Sequence, residues 1–132
     1  MKLIKLLLAA LVAAFALLAC SGGNSPEGVA TAFTTAVYKG EADKALALIH
    51  IPEGTRATEK EAAFGKMRML MAMAKEQADN KGGLTRVEVI SSEVDSANPD
   101  RARVKLRLHF KNGQSTDDTT LVKVKGKWMV DM

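Results

Sequence analysis

Residues 101–111, Arg-Ala-Arg-Val-Lys-Leu-Arg-Leu-His-Phe-Lys, alternate without a break between basic and apolar side chains. Successive side chains of a strand point to opposite faces, so this period of two dictates a β-strand rather than a helix. Ala102, Val104, Leu106, Leu108 and Phe110 form the apolar row, and Arg101, Arg103, Lys105, Arg107, His109 and Lys111 form the basic one. A strand with one dry and one wet face belongs in an antiparallel sheet covered on one side only. The rest of the chain must therefore supply partner strands and one covering layer.

The covering layer comes first in the sequence. Ser25-Pro26-Glu27 opens a helix, with Ser as N-cap, Pro at the first helical position and Glu beside the positive end of the dipole. Val29, Phe33, Ala36 and Val37 share one stripe, and Gly40 ends the helix. Ala42, Ala45, Leu46 and Ile49 predict a second, short helix, broken by Ile51-Pro52-Glu53-Gly54. Thr58-Glu59-Lys60-Glu61 has the capping-box pattern and starts a long third helix. It runs through Phe64, Met67, Leu70, Met71 and Ala74 to Asn80-Lys81-Gly82-Gly83. Met67, Met69, Met71 and Met73 alternate within it, and thioethers can bind Cu(I). Met67 and Met71 share one face while Met69 and Met73 lie nearly opposite, so adaptable core filler fits the pattern better. The two-sided pattern predicts a helix covered on more than one side, by the sheet or by a second subunit in a homodimer.

Period two then takes over. Leu84 to Val94 reads as a strand, Asp95 to Asp100 as a polar turn, and the alternating strand follows. Gln114 to Lys125 and Lys127 to Met132 complete a four-stranded meander. A three-residue Lys111-Asn112-Gly113 loop with Gly113 left-handed keeps like faces together, pairing Ala102 with Val122 and Arg107 with Asp117. That register turns Thr116, Asp118 and Thr120 toward the helices and sets Trp128 and Val130 beside Val122 and Thr120. The expected architecture is α+β, with N-terminal helices packed on a curved four-stranded antiparallel meander, in one domain over residues 26–132.

The N-terminus carries a different signal. Lys2 and Lys5 precede fourteen residues, Leu6 to Ala19, all Leu, Ala, Val or Phe. This is a secretory signal peptide over residues 1–19, shorter than the roughly 20 apolar residues of a spanning helix. It ends in Leu17-Leu18-Ala19-Cys20, which resembles a bacterial lipobox, and Cys20 is the only cysteine. Cleavage before Cys20 and lipid attachment to its thiol are expected, with residues 20–25 as lipidated Cys and short tether and no disulfide within the chain. Removal of Lys2 and Lys5 with the signal lowers the net charge from +4 to +2, so the pI of 9.3 overstates how basic the mature chain is. An envelope location and that small charge argue against nucleic acid as a partner. Ser21 to Ser25 reach at most about 17 Å, holding the domain against the membrane. With Ser21 rather than Asp after the lipidated residue, the sorting rule of such lipoproteins implies the outer membrane, facing the periplasm, in a diderm host.

The helix with Phe33 and Gly40, the step Gly40-Glu41-Ala42-Asp43-Lys44-Ala45-Leu46 and the Gly126-Lys127-Trp128 hairpin resemble a family of small bacterial lipoproteins. Its members carry a domain of unknown function with a cystatin-like, nuclear-transport-factor-2-like fold, and the resemblance covers residues 25–132. It implies a cone in which the curved sheet wraps the long helix, in proteins of which some are dehydratases or isomerases and many only bind. Enzymes of this kind place an acid or base inside the cone, which points to Asp118, with Tyr38 and His50 as companions. A desolvated Asp there would have a raised pKa and serve as a base. Against that, Asp117 and flanking threonines make the segment read as a polar strand. His50 and His109 lack metal-ligand spacing, so no metal or cofactor is expected.

The basic row is a candidate surface for anionic headgroups or an acidic protein partner, offset in part by Glu88 and Glu93 on the neighbouring strand. Lipid chains already anchor, so the row would orient the domain rather than recruit it. The expected function is a membrane-anchored envelope lipoprotein with a non-catalytic binding or interaction module. The alternative is a small-molecule pocket enzyme of the dehydratase or isomerase kind. A filled cone favours the module, and a lined cavity holding Asp118 favours the enzyme.

Overall fold

Ser25 caps the first helix, its hydroxyl oxygen accepting from the Gly28 amide at 3.0 Å. α1 spans Pro26–Lys39 and closes at Gly40, whose φ of 78° suits a residue without a Cβ. The computed structural model describes residues 24–132, so the signal peptide and Cys20 lie outside the described residues. α1 lies against all four strands and buries Val29, Ala30 and Ala36.

α2 spans Ala42–Ala47, shorter than its apolar spacing predicts. The chain leaves the helix so that Ile49 can form a parallel bridge with Val130. The His50 amide donates to the Val130 carbonyl and the Val130 amide donates to the Leu48 carbonyl, each at 2.8 Å. These bonds cover part of a sheet edge that would otherwise leave its backbone groups unpaired.

α3 spans Ala57–Asn80, and its N-cap is Arg56 rather than a residue of the Thr58–Glu61 box. The Thr55 hydroxyl donates to the Pro52 carbonyl at 2.7 Å, closing the preceding turn early enough for the helix to begin at Ala57. Gly82 and Gly83, with φ of 86° and 92°, stop it where expected. α3 rests on α1 and α2 and scarcely reaches the sheet. Met71 and Ala78 are buried and Phe64 and Met67 pack against the core, whereas Met69, Leu70 and Met73 are 67%, 55% and 54% exposed. The helix inside the curve of the sheet is therefore α1, and the longest helix is covered on one side only within the chain.

The strands are β1 (Leu84–Val94), β2 (Arg101–Phe110), β3 (Gly113–Val124) and β4 (Lys127–Val130). They pair antiparallel in sequence order, giving the α+β architecture. The apolar row of β2 is buried throughout, and Val104, Leu106, Leu108 and Leu121 expose no surface. Side chains fill the space between sheet and α1.

The β2–β3 register differs from the expected one by a single residue. Phe110 pairs with Gly113, so Lys111 and Asn112 alone make the loop; Ala102 pairs with Leu121, Leu106 with Asp117 and Lys105 with Asp118. A one-residue slip exchanges the two faces of β3. The cause is where the turn docks: the Lys111 amide donates to the Gly83 carbonyl at 3.1 Å and the Asn112 amide to the Lys81 carbonyl at 2.8 Å. The slip brings Leu121 inside in place of Val122. Trp128 and Val130 do face inward, but across from Lys123 and Leu121 rather than beside Val122 and Thr120.

Leu106→Ala should cost about 2–5 kcal/mol, because a side chain at the centre of a filled interior leaves a cavity. Leu70→Ala on the exposed side of α3 should change stability by less than about 0.5 kcal/mol. Urea unfolding of the two variants checks both.

Candidate functional site

The corrected register decides which carboxylate faces the helices. Asp118 projects from the outer face opposite Lys105, and Asp117 takes the inner face in row with Leu106. The Asp118 amide donates to Asp117 Oδ1 at 2.9 Å. Tyr38, near the end of α1, meets Phe110 edge-on with ring centroids 6.0 Å apart. Burial raises the Tyr38 pKa, and the Asp117 carboxylate raises it further by opposing a second negative charge. Burial likewise raises the Asp117 pKa; the amide bond from Asp118 works against this and the Asp118 charge adds to it. Tyr38 and Asp117 thus share one corner at the rim, where Asp117 is exposed to water and only partly desolvated.

His50 does not join them. Its backbone pairs with Val130, whose row runs through Leu121 to Ala102, eight positions along β2 from Phe110. At about 3.3 Å per residue that is roughly 26 Å along the sheet. The trio Asp118, Tyr38 and His50 is therefore three separate places.

The outer face of β2 carries the basic row, but its neighbours interleave it with carboxylates. Glu88 and Glu93 of β1 pair across from Arg107 and Arg103, and Asp118 of β3 pairs across from Lys105. Glu88 Oε1 lies 2.8 Å from His109 Nε2, and this contact lowers the Glu88 pKa. Arg101 donates to Asp131 at 2.8 Å. Lys111 sits in the turn, off the strand. The row is a mixed lattice of charges rather than a cationic surface.

Sequence reasoning passed over a groove between α2 and α3. Leu46, Ile49 and Ile51 form its floor, Lys60, Phe64 and Arg68 its far wall and Asp43 its rim, around about 340 Å³. Arg68 donates to Asp43 at 2.7 Å, and Lys60 Nζ lies 5.5 Å from the Phe64 ring centroid. Such a groove can bury an apolar side chain and pair its polar end with a cation. The signal was present: Lys60, Phe64 and Arg68 recur every four residues on one face of a helix.

The sign of the Asp117 shift fixes a pH test. A folded-state pKa above the unfolded value stabilises the fold at low pH, and this contribution is lost as pH rises through the folded pKa. At neutral pH ionised Asp117 is thus a liability. Asp117→Asn should raise stability at pH 7, by less than about 1 kcal/mol because water screens a rim carboxylate. The gain should vanish below the ordinary Asp pKa of 3.8. Thermal melts across that pH range read the difference.

Comparison with known proteins places this geometry. The model of a domain of unknown function, DUF4878, matches residues 19–131. A candidate NTF2-like transpeptidase from Campylobacter jejuni superposes with a TM-score of 0.75 at 22% identity, over 82% of this chain and 98% of its own. The de novo designed NTF2 fold protein NT-9, at a TM-score of 0.41 and 13% identity over 76% of each chain, is too remote to add weight. No curated protein matches by sequence. The fold is NTF2-like, and the chain belongs to the DUF4878 family.

Proposed function

We propose that this protein is an envelope lipoprotein, anchored through Cys20, whose NTF2-like domain is a non-catalytic binding module. The observation that carries this is the filled interior: Val104, Leu106, Leu108 and Leu121, with no exposed surface, occupy the space a substrate would need. Recognition is assigned to the groove between α2 and α3. Its apolar floor and its cations Lys60 and Arg68 suit a partner segment that offers an apolar side chain next to an acidic one. Arg68 is half exposed and paired with Asp43, and a partner carboxylate would compete for that guanidinium.

A pocket enzyme is the second reading, and the juxtaposition of Tyr38 and Asp117 is what favours it. Both groups keep their protons longer than usual, as a proton donor at a rim would. Against it, Lys81 Nζ lies 5.0 Å from the Phe110 ring centroid, and the floor of the corner is Phe110 and neighbouring core rather than a lined recess.

Crosslinked capture from cells, comparing the unaltered protein with the double variant Lys60→Glu, Arg68→Glu and with Asp117→Asn, separates the two. A partner lost with the groove variant and kept with Asp117→Asn supports the module. A partner set unchanged by the groove variant removes the groove as the recognition surface.

A further inference from the structure

The chain enters the domain at a fixed point. The Asn24 side-chain amide pairs with the backbone of Trp128 in both directions: the Trp128 amide donates to Oδ1 at 2.6 Å, and Nδ2 donates to the Trp128 carbonyl at 3.2 Å. Asn24 thus acts as a miniature strand neighbour on the edge of β4, and Ser25 is committed as the cap of α1. Of the five tether residues, the last two are held by the domain. From Cys20 to Asn24 the chain spans at most about 14 Å. The edge of β4 therefore lies next to any anchor at Cys20.

What stands beside that edge is the β3–β4 hairpin, Lys123-Val124-Lys125-Gly126-Lys127. Its three lysines are exposed. Lys123 shares the face of Trp128, its partner across the strands, and Lys127 pairs with Val124 on the opposite face. Lys125 forms the tip, so the lysines surround the end of the hairpin. Lys125 has φ of 52° and Gly126 φ of 78°, the tight mirror-image turn that favours Asn, Asp or Gly at its first position. Lysine there has a backbone cost and no local structural reason. Among the described residues one carboxylate reaches these lysines: Glu53, 3.4 Å from Lys125, with both side chains more than four-fifths exposed. Such a contact is weak and gives way readily to another anion. Among the described residues this exposed pair is the only ion pair of the hairpin, and Lys123 Nζ lies 5.7 Å from the Trp128 ring centroid, which leaves its charge unneutralised.

We infer that the Lys123–Lys127 hairpin docks on the anionic headgroup surface of the membrane to which the protein is anchored. This rests on the anchoring proposed above. The anchor holds the hairpin within reach of the surface, and three lysines there strengthen contact about fivefold each. The β4 edge then faces the bilayer, while the corner with Tyr38 and Asp117 lies toward the far end of the sheet.

Trp128 is the only tryptophan and sits at the base of this hairpin, 8% exposed, so a quencher in the bilayer acts on it through space once the hairpin lies on the surface. Protein purified from membranes is placed in vesicles of phosphatidylcholine, alone or with phosphatidylglycerol, containing brominated phospholipid as quencher. Quenching should be stronger in the anionic vesicles and should fall to the neutral level in about 0.5 M salt, where the screening length is only a few ångströms. The variant Lys123→Gln, Lys125→Gln, Lys127→Gln should lose the excess, and Lys125→Gln alone should lose part of it, while Arg103→Gln, Lys105→Gln should keep it. Equal quenching in the two vesicle types, or an excess untouched by the hairpin substitutions, overturns the inference. The mass of the N-terminal peptide scores the anchor separately: absence of acyl chains on Cys20 refutes the anchoring, whatever the quenching shows.

Discussion

The pairing of β2 with β3 is the constraint on which the rest of the structure hangs. β2 alone specifies that its apolar row must be covered, but not which residues of β3 lie beside it. That choice is made by two backbone hydrogen bonds from Lys111 and Asn112 to the carbonyls of Gly83 and Lys81. They fix the hairpin to the end of α3 and so set the register of every residue that follows. Leu121 enters the interior, Asp117 turns to the rim, Asp118 turns to solvent, and Trp128 takes the place from which it holds Asn24.

Much of this was legible in local patterns. The Ser25 cap, the Gly40 stop, the Gly82-Gly83 stop and both ends of β1 follow from capping chemistry and period, and the structure has them as expected. What failed were features decided by partners distant in sequence. α2 ends early because Ile49 is needed at the edge of β4, and the Thr58–Glu61 box is bypassed because Thr55 and Pro52 close the turn first. The register went wrong because Leu121 and Val122 are both good core residues, so pattern alone cannot choose between them. The Asn24 clamp gave no signal at all, since any polar residue before an N-cap reads as a linker.

The same register redistributes function over the surface. With Asp118 in register with Lys105, Glu88 and Glu93 in register with Arg107 and Arg103, and ion pairs at Arg101 and His109, the basic row of β2 is interleaved with carboxylates. Exposed cations also stand at the β3–β4 hairpin and on the α3 wall of the groove, where Arg68 is paired with Asp43. One lies at the entry point of the chain, and the other lies on a helix that the sheet leaves uncovered. In the anchoring proposed above, the first would lie against the membrane and the second would meet a partner. A solid interior then becomes a rigid platform between them.

Native-state hydrogen exchange tests that solid interior most directly. If side chains close the space between α1 and the sheet, the amides of Val104, Leu106, Leu108 and Leu121 should exchange only through global unfolding. Their opening free energies should then equal that from denaturant melts, with the same dependence on denaturant. Exchange of these amides through a lower-energy opening that is insensitive to denaturant would reveal an interior that admits water. That result would contradict the account and return the cone to candidacy as a pocket.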